Sequence, residues 1–268
     1  MYNFVKKIWN AFNFIIQPMK ERLFRFKKFS VSHSESAMKV GVDGVLIGVW
    51  TNCRGDRILD VGCGCGLIAL LLAQRNEDAH IEAIDIDSPS VREAKMNVAN
   101  SPWMDRVTVK EISFDEIWAE KPERKYDLIV SNPPFFDAGV SDPTTPRELS
   151  RHQGSLSPRV LAAKASVLLA DGGRLSLIAP YESADDIIAV AEKNGLAAVR
   201  INFVRDNPSA PVKRVMIEFA KVGDQQSDNG SISLLKKEVE PKILTLFRKP
   251  MEPTEEYRDL CKDFYLKF

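Results

Sequence analysis

The run Ile58-Leu59-Asp60-Val61-Gly62-Cys63-Gly64-Cys65-Gly66 passes directly into Leu67-Ile68-Ala69-Leu70-Leu71-Leu72-Ala73-Gln74, and few folds accept that order. A short, nearly continuous apolar run reads as a strand buried on both faces. Glycines at alternate positions let the backbone turn sharply and approach a ligand closely. The next apolar segment then packs back on the strand as a helix. Such a unit belongs to an α/β protein with a largely parallel sheet. The glycines stand as Gly-x-Gly-x-Gly, not as the Gly-x-Gly-x-x-Gly of dinucleotide folds, although the dinucleotide reading stays open at this point.

The same alternation covers most of the chain. Strands are predicted over Arg57–Val61, Ile81–Ile86, Val107–Lys110, Tyr126–Ser131, Arg174–Ala179, Leu196–Val204 and Arg214–Ala220. Helices are predicted over Leu67–Gln74, Pro89–Asn100 with Ser88 as N-cap, Pro158–Leu169, and Ser183–Asn194 closed by Gly195. Asp171-Gly172-Gly173 is read as the turn into the fifth strand. Residues 222–230 are a polar linker. Ser231–Leu235 is read as an extra strand and Thr254–Leu266 as a final helix. Residues 1–22 are expected to be an extension outside the fold and 23–268 a single domain, with 231–268 a small strand–helix addition. The lysines and apolar aromatics of the first seventeen residues also fit a signal peptide or a membrane-surface helix, or an over-long start with the initiator at Met19. No small-residue cleavage site follows them.

Asn132-Pro133-Pro134-Phe135 follows the apolar strand Tyr126–Ser131. Asn and Pro are ordinary turn formers, but this turn closes a buried strand beside a ligand-binding glycine turn. An exocyclic NH2 is a poor nucleophile because its lone pair is delocalised. Two acceptors on its hydrogens, the Asn132 side-chain carbonyl and the Pro133 main-chain carbonyl, raise electron density on nitrogen. The prolines fix both directions in advance, and Phe135 offers a stacking face for a base drawn out of its surroundings. Asp85 stands at the end of the second strand, where a carboxylate accepts hydrogen bonds from both hydroxyls of a ribose.

Taken together, the two elements resemble the amino-directed methyltransferases that use S-adenosylmethionine. A narrower resemblance lies in Ala37-Met38-Lys39-Val40-Gly41-Val42-Asp43-Gly44, the apolar run to Gly48 and Trp50, and the end segment Tyr257 to Leu266. This pattern is similar to that of bacterial tRNA(1Val) adenine-37 N6-methyltransferases, with Val42 where Thr is usual. The resemblance covers about residues 24–268. It implies a Rossmann-like sheet of seven strands, mostly parallel with the last antiparallel, and S-adenosylmethionine as donor with S-adenosyl-L-homocysteine as product. It further implies cofactor contacts from Lys39, Asp43, Asp60, Gly62, Gly64, Gly66, Asp85, Ile86, Ser113 and Asn132. Catalysis falls to Asn132, Pro133, Pro134 and Phe135, and the partner is tRNA, expected to be tRNA(Val). Many relatives are acidic where Ser113 stands. Phe rather than Tyr in the catalytic turn also occurs in enzymes that methylate guanine N2.

Formal net charge is +0, so a nucleic-acid partner has to be met by local patches rather than by a global field. Arg25, Lys27 and Lys28 form one candidate cluster; Arg147, Arg151 and His152 form a second; Arg205, Lys213 and Arg214 form a third. The 4 cysteines and 3 scattered histidines suggest neither a disulfide framework nor a metal site. Cys63 and Cys65 are read as small turn residues. No apolar stretch approaches the ~20 residues of a bilayer span, and a cytoplasmic enzyme without stable membrane association is expected. Two rivals stand beside the tRNA reading. One is N5-glutamine methylation of a protein such as a release factor, whose enzymes carry a larger amino-terminal domain. The other is a binding module without turnover, which an intact Asn132-Pro133-Pro134-Phe135 disfavours.

Overall fold

A computed structural model describes residues 23–36, 38–120, 123, 125–134, 156–222 and 239–267. The expected extension 1–22, Phe135, the cluster Arg147, Arg151 and His152, and the predicted strand over 231–235 lie outside the described residues.

Two short strands, β1 (Leu23–Arg25) and β2 (Ser30–Ser32), form an antiparallel hairpin ahead of helix α1 (Val42–Trp50). Alternating units follow: β3 (Arg57–Val61), α2 (Leu67–Arg75), β4 (His80–Asp85), α3 (Ser88–Ala99), β5 (Val107–Glu111), α4 (Phe114–Glu120) and β6 (Tyr126–Ser131). Then come α5 (Pro158–Leu168), β7 (Leu169–Pro180), α6 (Ala184–Lys193), β8 (Leu196–Arg205) and β9 (Val212–Lys221). The chain closes with β10 (Lys242–Thr245), a hairpin of β11 (Phe247–Lys249) and β12 (Glu252–Pro253), and α7 (Glu255–Cys261). The main sheet has 8 strands in the order β10-β8-β9-β7-β6-β3-β4-β5. Only β9 runs antiparallel to its neighbours. The seven strands expected between Arg57 and Ala220 are present, and β10 adds one more along the outer edge of β8.

Alternation along the strands divides the core between the two faces. Ile58, Leu128 and Val130 face α1, α2, α3 and α7, whereas Leu59, Val61 and Ile129 face α4, α5 and α6. Helix α2 is apolar all round because it is covered all round: Leu67–Ala73 are buried. Helix α1 approaches it so closely that a methyl at Gly48 would lie 2.6 Å from Leu71 Cδ1. Arg106 closes the far end of α2 by donating to the carbonyls of Ala73, Asn76 and Ala79.

Several boundaries differ from the sequence reading. Helix α3 is capped by Asp87, not Ser88; its carboxylate accepts the Ser90 N–H at 3.0 Å and the Ser90 hydroxyl at 2.6 Å. A carboxylate also suits the positive end of a helix. Asp171-Gly172-Gly173 does not precede the fifth strand but lies within it. Tyr126 pairs with Leu169 and Leu128 with Arg174, so the glycines absorb extra residues as a bulge. The terminal helix stops at Cys261, and the chain leaves it so that Tyr265 bridges Phe26.

Two polar side chains buried on α3 tie the amino-terminal segment to this frame. Glu93 accepts the N–H groups of Ser34, Glu35 and Ser36 at 2.6, 3.1 and 2.8 Å, and the Ser32 hydroxyl at 3.0 Å. Burial opposes its charge, but these donors win and hold the Glu93 carboxyl below its ordinary range. A depressed carboxylate contributes stability above its unfolded pKa of about 4.3, and that contribution disappears as pH falls through the folded value. Glu93→Gln is therefore expected to lose about 1–3 kcal/mol at pH 7 in denaturant unfolding. The gap to the unaltered protein should narrow as pH falls from about 4.3 through the lower folded value. A gap independent of pH would contradict this role.

Candidate active site

Strands β3, β4, β5 and β6 deliver the candidate residues to one edge of the sheet, the carboxyl edge where ligands of open α/β folds sit. Beyond β3, Gly62, Gly64 and Gly66 all have left-handed backbone, with φ of 70°, 53° and 81°. Space is open where a Cβ at Gly64 would stand, so that glycine answers to conformation rather than to crowding. The turn is fastened to β4 by the N–H groups of Gly62 and Cys63, both of which donate to the Ile84 carbonyl at 2.9 Å.

Asp60 is fully buried under this turn. One carboxylate oxygen accepts the Ala69 N–H at 3.0 Å, which caps α2 from inside the sheet in place of the side chain that Gly66 lacks. The other oxygen has no hydrogen-bond partner among the described residues. Burial pushes the Asp60 carboxyl up to about 7, against the Ala69 N–H and with help from the nearby charge of Asp85.

Asp85 ends β4 and is partly exposed. Its carboxylate accepts the Gly64 N–H at 2.8 Å and the Asp87 N–H at 3.0 Å, so strand, glycine turn and helix cap are joined through one side chain. Burial raises its pKa, and those N–H groups act against the shift. Ile86 has left the sheet and is 57% exposed. An isoleucine held out beside a carboxylate suits the flat face of a nucleobase next to its ribose. Ser113 sits past β5 in a reciprocal cap of α4: its hydroxyl and N–H both donate to Glu116, and the Glu116 N–H returns to the hydroxyl.

Asn132 and Pro133 continue β6 past Ser131, whose hydroxyl donates to the Val61 carbonyl at 2.7 Å and so locks β6 to β3 beside the glycine turn. The Asn132 Oδ1 atom is buried without a hydrogen-bond partner among the described residues. An unused acceptor of that kind costs about 1–3 kcal/mol, and a group donated by a ligand removes the cost. A methyl built at Gly44 would lie 3.9 Å from Asn132 Nδ2 and 3.1 Å from Leu67 Cδ2. The start of α1 thus forms a wall of the site. Asp43, one residue earlier, is paired with Arg214. Lys39 donates to the carbonyls of Ser34 and Ser36 at 2.9 and 2.8 Å and steadies the approach to α1.

The two basic clusters within the described residues do not meet at one place. Arg205, Lys213 and Arg214 lie at the site edge, where Arg214 pairs with Pro180 and Arg205 with Val212. Lys213 engages Asp206 there. Lys27 instead donates its N–H to Phe264, and neighbouring Asp263 accepts from Gln74 in the last turn of α2. That places Lys27 by the end of α2 opposite the glycine turn. Sequence reasoning missed Asn97. This buried residue on α3 donates Nδ2 to the Cys65 carbonyl inside the glycine turn and to the Ser32 carbonyl, both at 2.8 Å, and accepts the Ser32 N–H at 2.8 Å. Its signal was a polar residue in register with the apolar positions Ala94 and Val98.

A mostly parallel sheet whose carboxyl edge carries a Gly-x-Gly-x-Gly turn, a carboxylate at the end of β4 and an Asn-Pro-Pro turn is that of an S-adenosylmethionine-dependent methyltransferase. The chain belongs to the Methyltransferase small domain family, whose sequence model matches residues 33–184. A protein of Parabacteroides distasonis named tRNA1(Val) (adenine(37)-N6)-methyltransferase is 41% identical over 250 residues, 93% of this chain and 100% of its own length. A protein of the same name from Aeromonas hydrophila is 43% identical over 213 residues, 78% of this chain and 87% of its own. Among solved structures, a predicted O-methyltransferase from Agrobacterium tumefaciens superposes with a TM-score of 0.59 at 19% identity, over 83% of this chain and 96% of its own. This last likeness concerns the fold alone.

The residues present fit the donor. Asp85 has the acceptors for ribose hydroxyls, and the open space at Gly64 leaves backbone accessible to a ligand. Asp85→Ala is expected to weaken S-adenosylmethionine binding through loss of two charge-assisted hydrogen bonds, each worth roughly 1.5–3 kcal/mol. Titration calorimetry reads the change, and an unaltered affinity would move the ribose contact elsewhere.

Proposed function

We propose that this enzyme methylates the exocyclic N6 of adenine in tRNA, at position 37 beside the anticodon of tRNA(Val). The observation that carries the reading is the buried, unpartnered Asn132 carbonyl at the carboxyl edge of β6. The relatives' shared name supports the substrate. S-adenosylmethionine, when bound, supplies a methyl group on a sulfonium, an electrophile that needs no further activation. The chain's own part is to prepare the amine. Asn132 Oδ1 accepts one N–H of the base and the Pro133 carbonyl accepts the other, which disfavours the planar, delocalised amine. Proline at both following positions keeps these acceptors oriented before the base arrives. Phe135, next in the chain, is assigned the stacking face. No strong base is required, because the nitrogen loses its proton only after it has become cationic.

An unpaired loop purine is less costly to extrude than a base in a duplex. At the rim, Lys213 and Arg205 are the candidates for RNA phosphates. Lys27 lies by the far end of α2, and Arg25, Lys27 and Lys28 suit a part of the tRNA away from the reacting loop. Among the described residues no helix is long and apolar enough to cross a membrane, and a cytoplasmic tRNA pool is the setting this reading requires.

Purified enzyme is incubated with labelled donor and, separately, with tRNA, ribosomal RNA and a release factor. Label is expected as N6-methyladenine in tRNA only. Label as N2-methylguanine, or on glutamine, would replace the substrate while leaving methyl transfer intact. Asn132→Ala should lower the single-turnover rate by about 10²–10³, the scale of losing one positioned hydrogen-bonding group. Donor affinity and thermal midpoint should stay near those of the unaltered protein. A near-normal rate would remove Asn132 from the chemistry.

A further inference from the structure

The family resemblance assigns Asp43 to the cofactor, and its charge marks Arg214 as a candidate for RNA. In the structure the two engage each other: Arg214 Nε lies in ion-pair contact with Asp43 Oδ1, an oxygen with no hydrogen bond among the described residues, so charge rather than a directed N–H joins them. Their side chains are 29% and 18% exposed, so the pair is largely withdrawn from water. It joins elements far apart in the chain. Asp43 lies in the first turn of α1, and Arg214 lies near the start of β9, opposite Pro180.

The first turn of α1 has reason to need an outside hold. Its N-cap is Gly41, which provides no side-chain cap. Asp43 is the acidic residue of that turn and meets the positive helix end from within. The next residue is Gly44, whose open side lies against Leu67 and the amide of Asn132. The ion pair is therefore anchored on the residue directly before the backbone that faces the catalytic amide. The neighbouring cation, Lys213, is engaged with Asp206 and does not compete for Asp43.

We infer that Asp43 and Arg214 are positioning residues. Their ion pair holds the first turn of α1 as the wall behind Asn132, and Arg214 acts on methyl transfer through Asp43 rather than through an RNA phosphate. The inference rests on the role given above to Asn132. A positioning pair requires that loss of either partner lower the rate of the chemical step, that loss of both be no worse, and that ligand affinities remain.

The test uses the full chain as Asp43→Asn, Arg214→Gln, the double variant and Arg214→Lys. Each is compared at a temperature where thermal melts show all of them folded. Single-turnover rates are measured on whichever amine substrate the unaltered protein methylates, so an error in the substrate and an error in this role are told apart. Each single variant is expected to lose about ten- to a hundredfold in rate, as for a partly buried ion pair broken on one side. The double variant should lose no more than either single, and Arg214→Lys should recover part of the rate. Donor affinity and the salt dependence of RNA binding should not change. Losses that multiply in the double variant would overturn the pairing. A salt slope lowered by about one in Arg214→Gln would make Arg214 a phosphate contact instead. Weakened donor binding in Asp43→Asn alone would return Asp43 to the cofactor. Should Arg214→Gln fail to fold, Asp43→Asn and Arg214→Lys, alone and combined, give the same comparison.

Discussion

Three successive backbone N–H groups, those of Ser34, Glu35 and Ser36, converge on the single buried carboxylate of Glu93. Successive amides pointing inward form a concavity that demands an anion, and here the anion belongs to helix α3. One turn further along α3, Asn97 reaches both Ser32 and the carbonyl of Cys65 within the glycine turn. The amino-terminal segment, the wall that leads to α1 and the ligand-binding turn are thereby referred to one helix. These two side chains act together with the packing of α1 on α2 and the Lys39 bonds to Ser34 and Ser36 in fixing the segment before α1 above the sheet.

That arrangement explains how an active site with few reactive groups can work. Among the described residues the carboxyl edge presents no activated nucleophile: the Cys63 and Cys65 thiols of the glycine turn are buried, and burial pushes both up. What the edge offers is acceptors of fixed direction: the Asp85 carboxylate on two N–H groups, and the Asn132 carbonyl with none among the described residues. Chemistry that depends on direction rather than on proton transfer depends in turn on rigidity, and strands locked by bonds such as Ser131 to Val61 supply it.

Much of this was legible in the order of residues. The apolar run into Gly62, Gly64 and Gly66 fixed the parallel sheet, and the strand before Asn132 placed that residue at its carboxyl edge, because local pattern and topology constrain each other strongly there. The pairs of Asp43 with Arg214, and of Glu93 with the N–H groups of 34–36, were not legible. Each joins residues whose partners are set by tertiary packing: in sequence Asp43 and Arg214 read as cofactor and RNA contacts, and Glu93 as an ordinary surface charge. The bulge at Gly172 was misread for a related reason: a glycine pair signals a turn, and only strand register shows that the strand resumes on the same ladder. The edge strand β10 has four residues and buries only Leu244 fully, too little alternation to stand out from a loop.

The central claim is that Asn132 and Pro133 hold an adenine amine. The most direct measurement is a crystal structure of the enzyme with S-adenosyl-L-homocysteine and a tRNA anticodon stem-loop carrying the target base. The account predicts that N6 of an extruded adenine lies within hydrogen-bonding distance, about 2.7–3.2 Å, of both Asn132 Oδ1 and the Pro133 carbonyl. It would be contradicted by an adenine that remains stacked in its loop with Asn132 unengaged, or by a complex in which another group of the base occupies those two acceptors.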